Sequence, residues 1–122
     1  MAINYKMDGE NNRLVVTATG FDEDLNEVEQ YGAAIIQACV EGNYSQVLCN
    51  ELDLEYRLST LDTFRSAEFL ALQAPRVGKA AVVCNEKFIS DALFWETVAV
   101  NRGLEVRVFK DIKMARIWLG KN

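Results

Sequence analysis

The sequence predicts a single α/β domain with the element order ββαβαβαβα. A five-stranded, mostly parallel sheet is expected to start with an antiparallel N-terminal hairpin and to carry four helices. The turn cluster Asp8 to Asn12 predicts the hairpin, and strand-length segments then alternate with helix-length ones. The segment Ala80 to Cys84 is apolar throughout, as expected of a strand covered on both faces. With 122 residues, one proline and no low-complexity linker, residues 1–122 should form one domain.

The hairpin strands are expected at Ile3 to Met7 and Leu14 to Thr19, with Gly20 breaking the second strand. A first helix is predicted from Asp22, acting as N-cap, to Gly42. Apolar side chains at helical spacing form its inward stripe, together with one glycine. The stripe is Leu25, Val28, Gly32, Ile35, Ile36, Cys39 and Val40.

A third strand is predicted to start at Gln46, and the charged segment Asn50 to Arg57 is expected to be a loop. Ser59 is the expected N-cap of a second helix that runs to about Ala74, where Pro75 stops it.

The rest of the chain predicts two further strands and two helices. The fourth strand spans Lys79 to Cys84, and a third helix runs from about Lys87 to Arg102. A fifth strand follows at Leu104 to Phe109. Asp111 is expected to cap the fourth helix.

Charge and residue types exclude several classes of function. The chain has 13 basic and 18 acidic residues and a net charge of −5, and its basic residues are scattered, which argues against nucleic acid as a partner. No histidine is present, so neither a Ser-His-Asp nor a Cys-His arrangement can form. The cysteines Cys39, Cys49 and Cys84 are widely spaced in apolar segments, which predicts small buried side chains rather than disulfides or zinc ligands. We therefore expect a non-enzymatic domain without cofactor or metal.

The N-terminal segment has no basic stretch followed by an apolar one, and no apolar stretch is long enough to span a membrane. These features predict a cytoplasmic protein without stable membrane insertion.

Two polar clusters near the third strand can each be interpreted in two ways, as structural or as functional. Glu51, Asp53 and Glu55 alternate after it, which fits a solvated acidic loop better than a hard-cation site. Ser59 and Thr60 stand where the second helix begins. A hydroxyl there is an N-cap, and it is also a candidate phosphoacceptor, because a phosphate is favoured at the positive end of a helix.

The second and third helices carry more apolar residues than one sheet face can cover. On the second helix, Phe69 lies off the predicted core-facing arc, which is Leu61, Phe64, Ala67, Ala71, Leu72 and Ala74. The candidate surface for a ligand or partner is Leu61, Phe64, Phe69, Leu93, Phe94 and Trp95. A homodimer, a protein partner, a nonpolar ligand or a large core would each account for this excess.

With this order, the chain resembles a SpoIIAA-like (STAS) domain, in a branch also compared with Sec14-like lipid carriers. The segments Arg13 to Gly20 and Lys79 to Val83 carry part of the resemblance. The rest lies in Gly103 to Asp111, continuing through Ala115 and Trp118-Leu119.

The resemblance implies a phosphorylatable serine where the helix after the third strand begins, within an Asp-Ser-Ser/Thr-Gly motif. This chain has Leu58-Ser59-Thr60-Leu61 there, without the aspartate before or the glycine after. The lipid-carrier comparison implies helices that open over an apolar cavity. We therefore expect a binding or regulatory domain, with a carrier or sensor of a nonpolar molecule that touches membranes transiently as the alternative.

Overall fold

The computed structural model describes residues 2–73 and 77–120. Its strands and helices follow the predicted order, with a short 3-10 turn at Glu86–Phe88 before the third α-helix. In chain order they are β1 (Ile3–Glu10), β2 (Arg13–Asp22), α1 (Leu25–Gly42), β3 (Gln46–Tyr56), α2 (Thr60–Ala71), β4 (Lys79–Cys84), α3 (Ile89–Asn101), β5 (Val106–Phe109) and α4 (Ile112–Leu119).

The five strands lie side by side in the order β1-β2-β3-β4-β5. β1 pairs with β2 antiparallel, and the three later pairings are parallel, which confirms the predicted fold class. The hairpin turn is shorter than the expected loop, because Glu10 already pairs with Arg13. Only Asn11 and Asn12 lie between them, and Asn11 adopts a positive φ of 60° that asparagine tolerates in tight turns.

Helices cover both faces of the sheet. α1, α2 and α3 pack on one face, where Val16, Val47 and Val106 belong to the core. α4 lies on the other face, and its Ala115 and Leu119 pack against the strands. The central strands are therefore buried on both sides, which explains the uninterrupted apolar sequence of β4.

The second and third strands are longer than predicted. Gly20 does not end β2, and residues 50–56, expected in a loop, belong to β3. A β-bulge lies here, since Thr17 pairs with Asn50 but Thr19 pairs with Asp53. The extra residue on β3 breaks the simple apolar alternation, while Gly20 at φ 95° allows the pairing to continue.

Helix ends agree with the sequence except at two places. Ser59 and Asp111 are the N-caps of α2 and α4, as predicted. The N-cap of α1 is Asp24 rather than Asp22, because β2 continues as far as Asp22. α2 ends at Ala71, and the predicted end at Ala74 and Pro75 lies outside the described residues.

Candidate functional site

Ser59 lies exposed at the start of α2. Its Oγ accepts a hydrogen bond from the backbone N–H of Asp62 at 3.1 Å, and its carbonyl accepts one from the N–H of Thr63 at 2.9 Å. Thr60, the next residue, is also exposed. Both candidate phosphoacceptors are therefore accessible, and Ser59 performs the capping role that its sequence position predicts.

Asp22 holds the segment that leads to Ser59. One carboxylate oxygen, Oδ1, accepts hydrogen bonds from the backbone N–H groups of Arg57 at 2.6 Å and Leu58 at 3.1 Å. Burial raises the pKa of Asp22, while these two backbone donors act in the opposite direction. The side chain therefore joins the end of β2 to the β3–α2 connection and fixes where Ser59 is presented.

Replacing Ser59 by Ala should lower the free energy of unfolding by about 0.5–2 kcal/mol, because the N–H of Asp62 loses its acceptor. Ser59→Asp should cost much less, since an aspartate also caps a helix. Urea unfolding of both variants measures the difference. Equal stability of Ser59→Ala and the parent would show that the capping bond contributes nothing.

A cavity of about 150 Å³ lies between the sheet and the three helices on that face. Its walls are mainly apolar and include Ile35, Val47, Leu70, Val82 and Trp95. A cavity of this volume in an apolar core accommodates a benzene-sized molecule. The cavity is smaller than a typical ligand pocket, which measures roughly 300–1,000 Å³.

The buried carboxylate of Glu51 faces this cavity. The Oε2 of Glu51 accepts a hydrogen bond from the Tyr31 hydroxyl at 2.7 Å, and its Oε1 accepts one from the Tyr56 hydroxyl at 2.5 Å. All three residues line the cavity. Burial raises the pKa of Glu51, although the two tyrosine hydroxyls oppose that effect. The interpretation of Glu51 as part of a solvated acidic loop is wrong, because β3 carries it into the core.

Two further carboxylates line the cavity, those of Asp22 and Asp91. The charge of Asp91 helps to raise the pKa of Asp22, and the charge of Asp22 helps to raise the pKa of Glu51. No lysine or arginine is among the described residues that line it. The polar part of the cavity is therefore electronegative.

The six residues of the predicted apolar surface separate into two groups. Leu61, Leu93 and Phe94 are exposed, by 56%, 45% and 39%. The other three are half-buried: Trp95 packs in the core beside the cavity, Phe64 packs between α2 and α3, and Phe69 faces α1. Trp95 packs inward because it follows Ala92 on the stripe of α3 that faces the sheet.

Two residues predicted on the core-facing arc of the second helix are exposed instead. Leu61 is at the first turn of α2, and Leu72, 79% exposed, follows its last residue. Both therefore lie at the ends of the helix. The inward side of α2 carries Ser66, Ala67 and Ala71.

The three cysteines are free and buried, as predicted. Burial raises the pKa of the Cys84 thiol to about 11 and also raises those of Cys39 and Cys49. The thiols are therefore protonated at neutral pH and are poor nucleophiles. In the part of the chain that the structure describes, no group of three acidic or cysteine side chains is placed to hold a metal ion. No helix in that part is long and apolar enough to cross a bilayer.

The fold has clear counterparts among solved structures. An anti-sigma factor antagonist from Mycobacterium paratuberculosis matches with a TM-score of 0.68 over 98% of this chain and 95% of its own, at 15% identity. The chain has the SpoIIAA-like fold. SpoIIAA itself, in its unphosphorylated form, matches with a TM-score of 0.56 at 14% identity over 98% of this chain and all of its own.

A third SpoIIAA-like structure is an uncharacterised DUF3478-family protein from Shewanella loihica PV-4. It matches with a TM-score of 0.60 and 16% identity, over 97% of this chain and 94% of its own. No protein-family model and no curated protein matches the sequence. At these identities the SpoIIAA-like fold is the shared property.

The buried group around Glu51 is a candidate site that the sequence analysis did not predict. Two signals pointed to it. Val47, Cys49 and Glu51 follow the two-residue period of one strand face, and Tyr31 lies next to Gly32 on the apolar stripe of the first helix. The high density of charged residues after Asn50 predicted a loop instead, and Glu51 was assigned to that loop.

Proposed function

We propose that this protein is a regulatory domain that acts by binding another protein through the end of the fold that carries Ser59. The observation behind the proposal is the placement of Ser59. In a SpoIIAA-like fold, it stands exposed at the start of the helix after the third strand, and Asp22 holds the residues before it. We propose Ser59, and secondarily Thr60, as phosphoacceptors.

A phosphate at this position would change the surface while the fold stays intact. It would lie at the positive end of α2, which favours an anion. It would also place a strong negative charge beside the exposed Leu61. Binding of an apolar partner surface would then be less favourable, because the charge would have to be desolvated. This gives phosphorylation a physical route to switch binding off.

The partner surface in this proposal is the set Leu61, Leu93 and Phe94. These side chains are exposed on the first half of two helices that pack against each other. Exposed side chains of this size gain free energy when a partner covers them. A second copy of the chain is the alternative occupant.

Phe94→Ser should remove partner binding with little loss of stability, because Phe94 is already 39% exposed. The experiment is affinity capture from an extract of the source cells with wild type, Phe94→Ser and Ser59→Asp. Ile117→Ser is the matched control, because Ile117 is an exposed apolar residue, 47% exposed, on α4 across the sheet. Native mass spectrometry of the same samples reads out dimers.

A protein that is captured by wild type and Ile117→Ser, and lost with both Phe94→Ser and Ser59→Asp, supports the proposal. A dimer that Phe94→Ser alone dissociates identifies the second copy as the occupant. If Phe94→Ser changes neither captured proteins nor oligomeric state, this surface is not a binding surface. The corresponding Phe69 variant is less informative, since Phe69 is half-buried against α1.

The cavity supports a second candidate function, the binding of a nonpolar small molecule. Its volume suits a benzene-sized compound rather than the lipid-like molecule that the resemblance implied. The test is a titration with toluene, a neutral probe of that size, followed by NMR. Binding in the cavity should shift the signals of lining residues such as Val82 and Trp95.

A further inference from the structure

The carboxylate of Glu51 has hydrogen-bond donors but no cation. Each of its oxygens accepts one tyrosine hydroxyl and keeps capacity for a further donor. Glu51 takes part in none of the ion pairs found in residues 2–73 and 77–120. A carboxyl group without a cationic partner among the described residues is thus buried at an apolar cavity, with unused acceptor sites.

A charged carboxylate in this position destabilises the folded state. A buried charge without an opposite charge is strongly disfavoured, and two neutral hydroxyls offset only part of that cost. For structure alone, a neutral glutamine at position 51 would fill the same space and bond to both tyrosines. An acid placed beside a cavity, where its charge carries this cost, points to a ligand that uses the charge.

The other acids of the cavity extend this charge towards solvent. Asp91 is exposed on the first turn of α3, Asp22 is buried beside the β3–α2 connection, and Glu51 is buried in the core. The half-buried Leu58 and Thr63 also line the cavity. Three carboxylates from the rim to the interior, with no lysine or arginine on the described walls, attract cations and repel anions.

We propose that the cavity binds a small apolar amine, about the size of benzylamine, with its ammonium group hydrogen-bonded to Glu51. The apolar part would lie against Val82, Val108 and Trp95, which line the same cavity. The ammonium would supply the charge that Glu51 lacks, and its N–H groups would fill the unused acceptor sites. This inference rests on the second candidate function, that the cavity takes a nonpolar molecule.

The test compares three probes that differ in charge and little in size: benzylamine, toluene and benzoate. Calorimetric titration gives affinities, and NMR shifts of Val82 and Trp95 locate the bound probe. Benzylamine should bind about 10 to 100 times more tightly than toluene, as expected for one charge-assisted hydrogen bond. Benzoate should not bind.

Two variants distinguish the effect of the Glu51 carboxylate on binding from the effect of the cavity volume. Glu51→Gln should remove the preference for benzylamine over toluene, whereas Asp53→Asn, at an exposed acid on the same strand, should leave it unchanged. Ala92→Leu should abolish binding of both probes, because it extends a cavity-lining side chain into the space. Circular dichroism verifies that each variant is folded.

If toluene binds and benzylamine binds no more tightly, or if Glu51→Gln keeps the preference, the amine proposal is wrong and the cavity function stands. If neither toluene nor benzylamine binds, the amine proposal and the proposed cavity function are both wrong. Ala92→Leu also keeps the test decisive if Glu51→Gln does not fold, since benzylamine binding that survives a filled cavity places the amine elsewhere.

Discussion

Asp22→Ala is expected to lower the free energy of unfolding by about 2 kcal/mol, because two backbone N–H groups lose a side-chain acceptor and only the one on Arg57 keeps another, the Asp22 carbonyl at 3.0 Å. Those groups belong to Arg57 and Leu58, in the connection that leads to Ser59. The loss should therefore be accompanied by NMR shift changes at Ser59 and Thr60. Urea unfolding measures the stability, and amide spectra measure the local change.

Asp22→Asn and Asp53→Ala are the controls for this prediction. An asparagine keeps a side-chain oxygen for one or both N–H groups, so Asp22→Asn should recover most of the stability. Asp53 is exposed, and its loss should change stability by less than about 0.5 kcal/mol. An Asp22→Ala variant as stable as wild type would show that Asp22 does not hold the connection.

The sequence was sufficient for the element order and for most helix ends, because both follow from local patterns. Apolar period, glycine and capping residues are properties of neighbouring residues. Ser59 and Asp111 were predicted as N-caps for this reason and are N-caps in the structure. Parallel pairing followed from the alternation of strands and helices.

The site could be predicted only in part, because its decisive contacts join distant residues. Glu51 becomes a core residue through Tyr31, on another element, and Tyr56, across a bulge. Asp22 was assigned to the helix that follows it, since a carboxylate there is a good N-cap. Its partners, Arg57 and Leu58, lie 35 and 36 residues away, which no local pattern reveals.

Exposure on the helices was equally hard to predict, because helical angles give a direction but not the neighbour in that direction. Val98 and Phe94 lie on the same side of α3, yet Val98 is buried against α2 and Phe94 is exposed. The extent of the apolar surface thus depends on tertiary packing rather than on sequence spacing.

Glu51→Leu is expected to lower the free energy of unfolding by about 3 kcal/mol at neutral pH, because the hydroxyls of Tyr31 and Tyr56 both lose their acceptor. Glu51→Gln should be at least as stable as wild type under the same conditions, since an amide bonds to both hydroxyls without a buried charge. Denaturant unfolding of ligand-free protein measures both.

The pH dependence distinguishes a charged Glu51 from a neutral one. The pKa of Glu51 is raised in the fold, so the folded state holds this proton more tightly than the unfolded chain does. The contribution of Glu51 is therefore fully present below its unfolded pKa of 4.5 and is lost as the pH rises through the raised value.

Wild type should thus lose stability relative to Glu51→Gln as the pH rises above 4.5 and through the raised pKa of Glu51. Asp22, whose pKa is also raised, is present in both proteins, so the difference between the two curves reports the titration of Glu51 together with its electrostatic coupling to Asp22. Parallel curves would mean that Glu51 has the same pKa in the folded and unfolded states. A wild type that gains stability relative to the variant as the pH rises would mean that the pKa of Glu51 is lowered in the folded state.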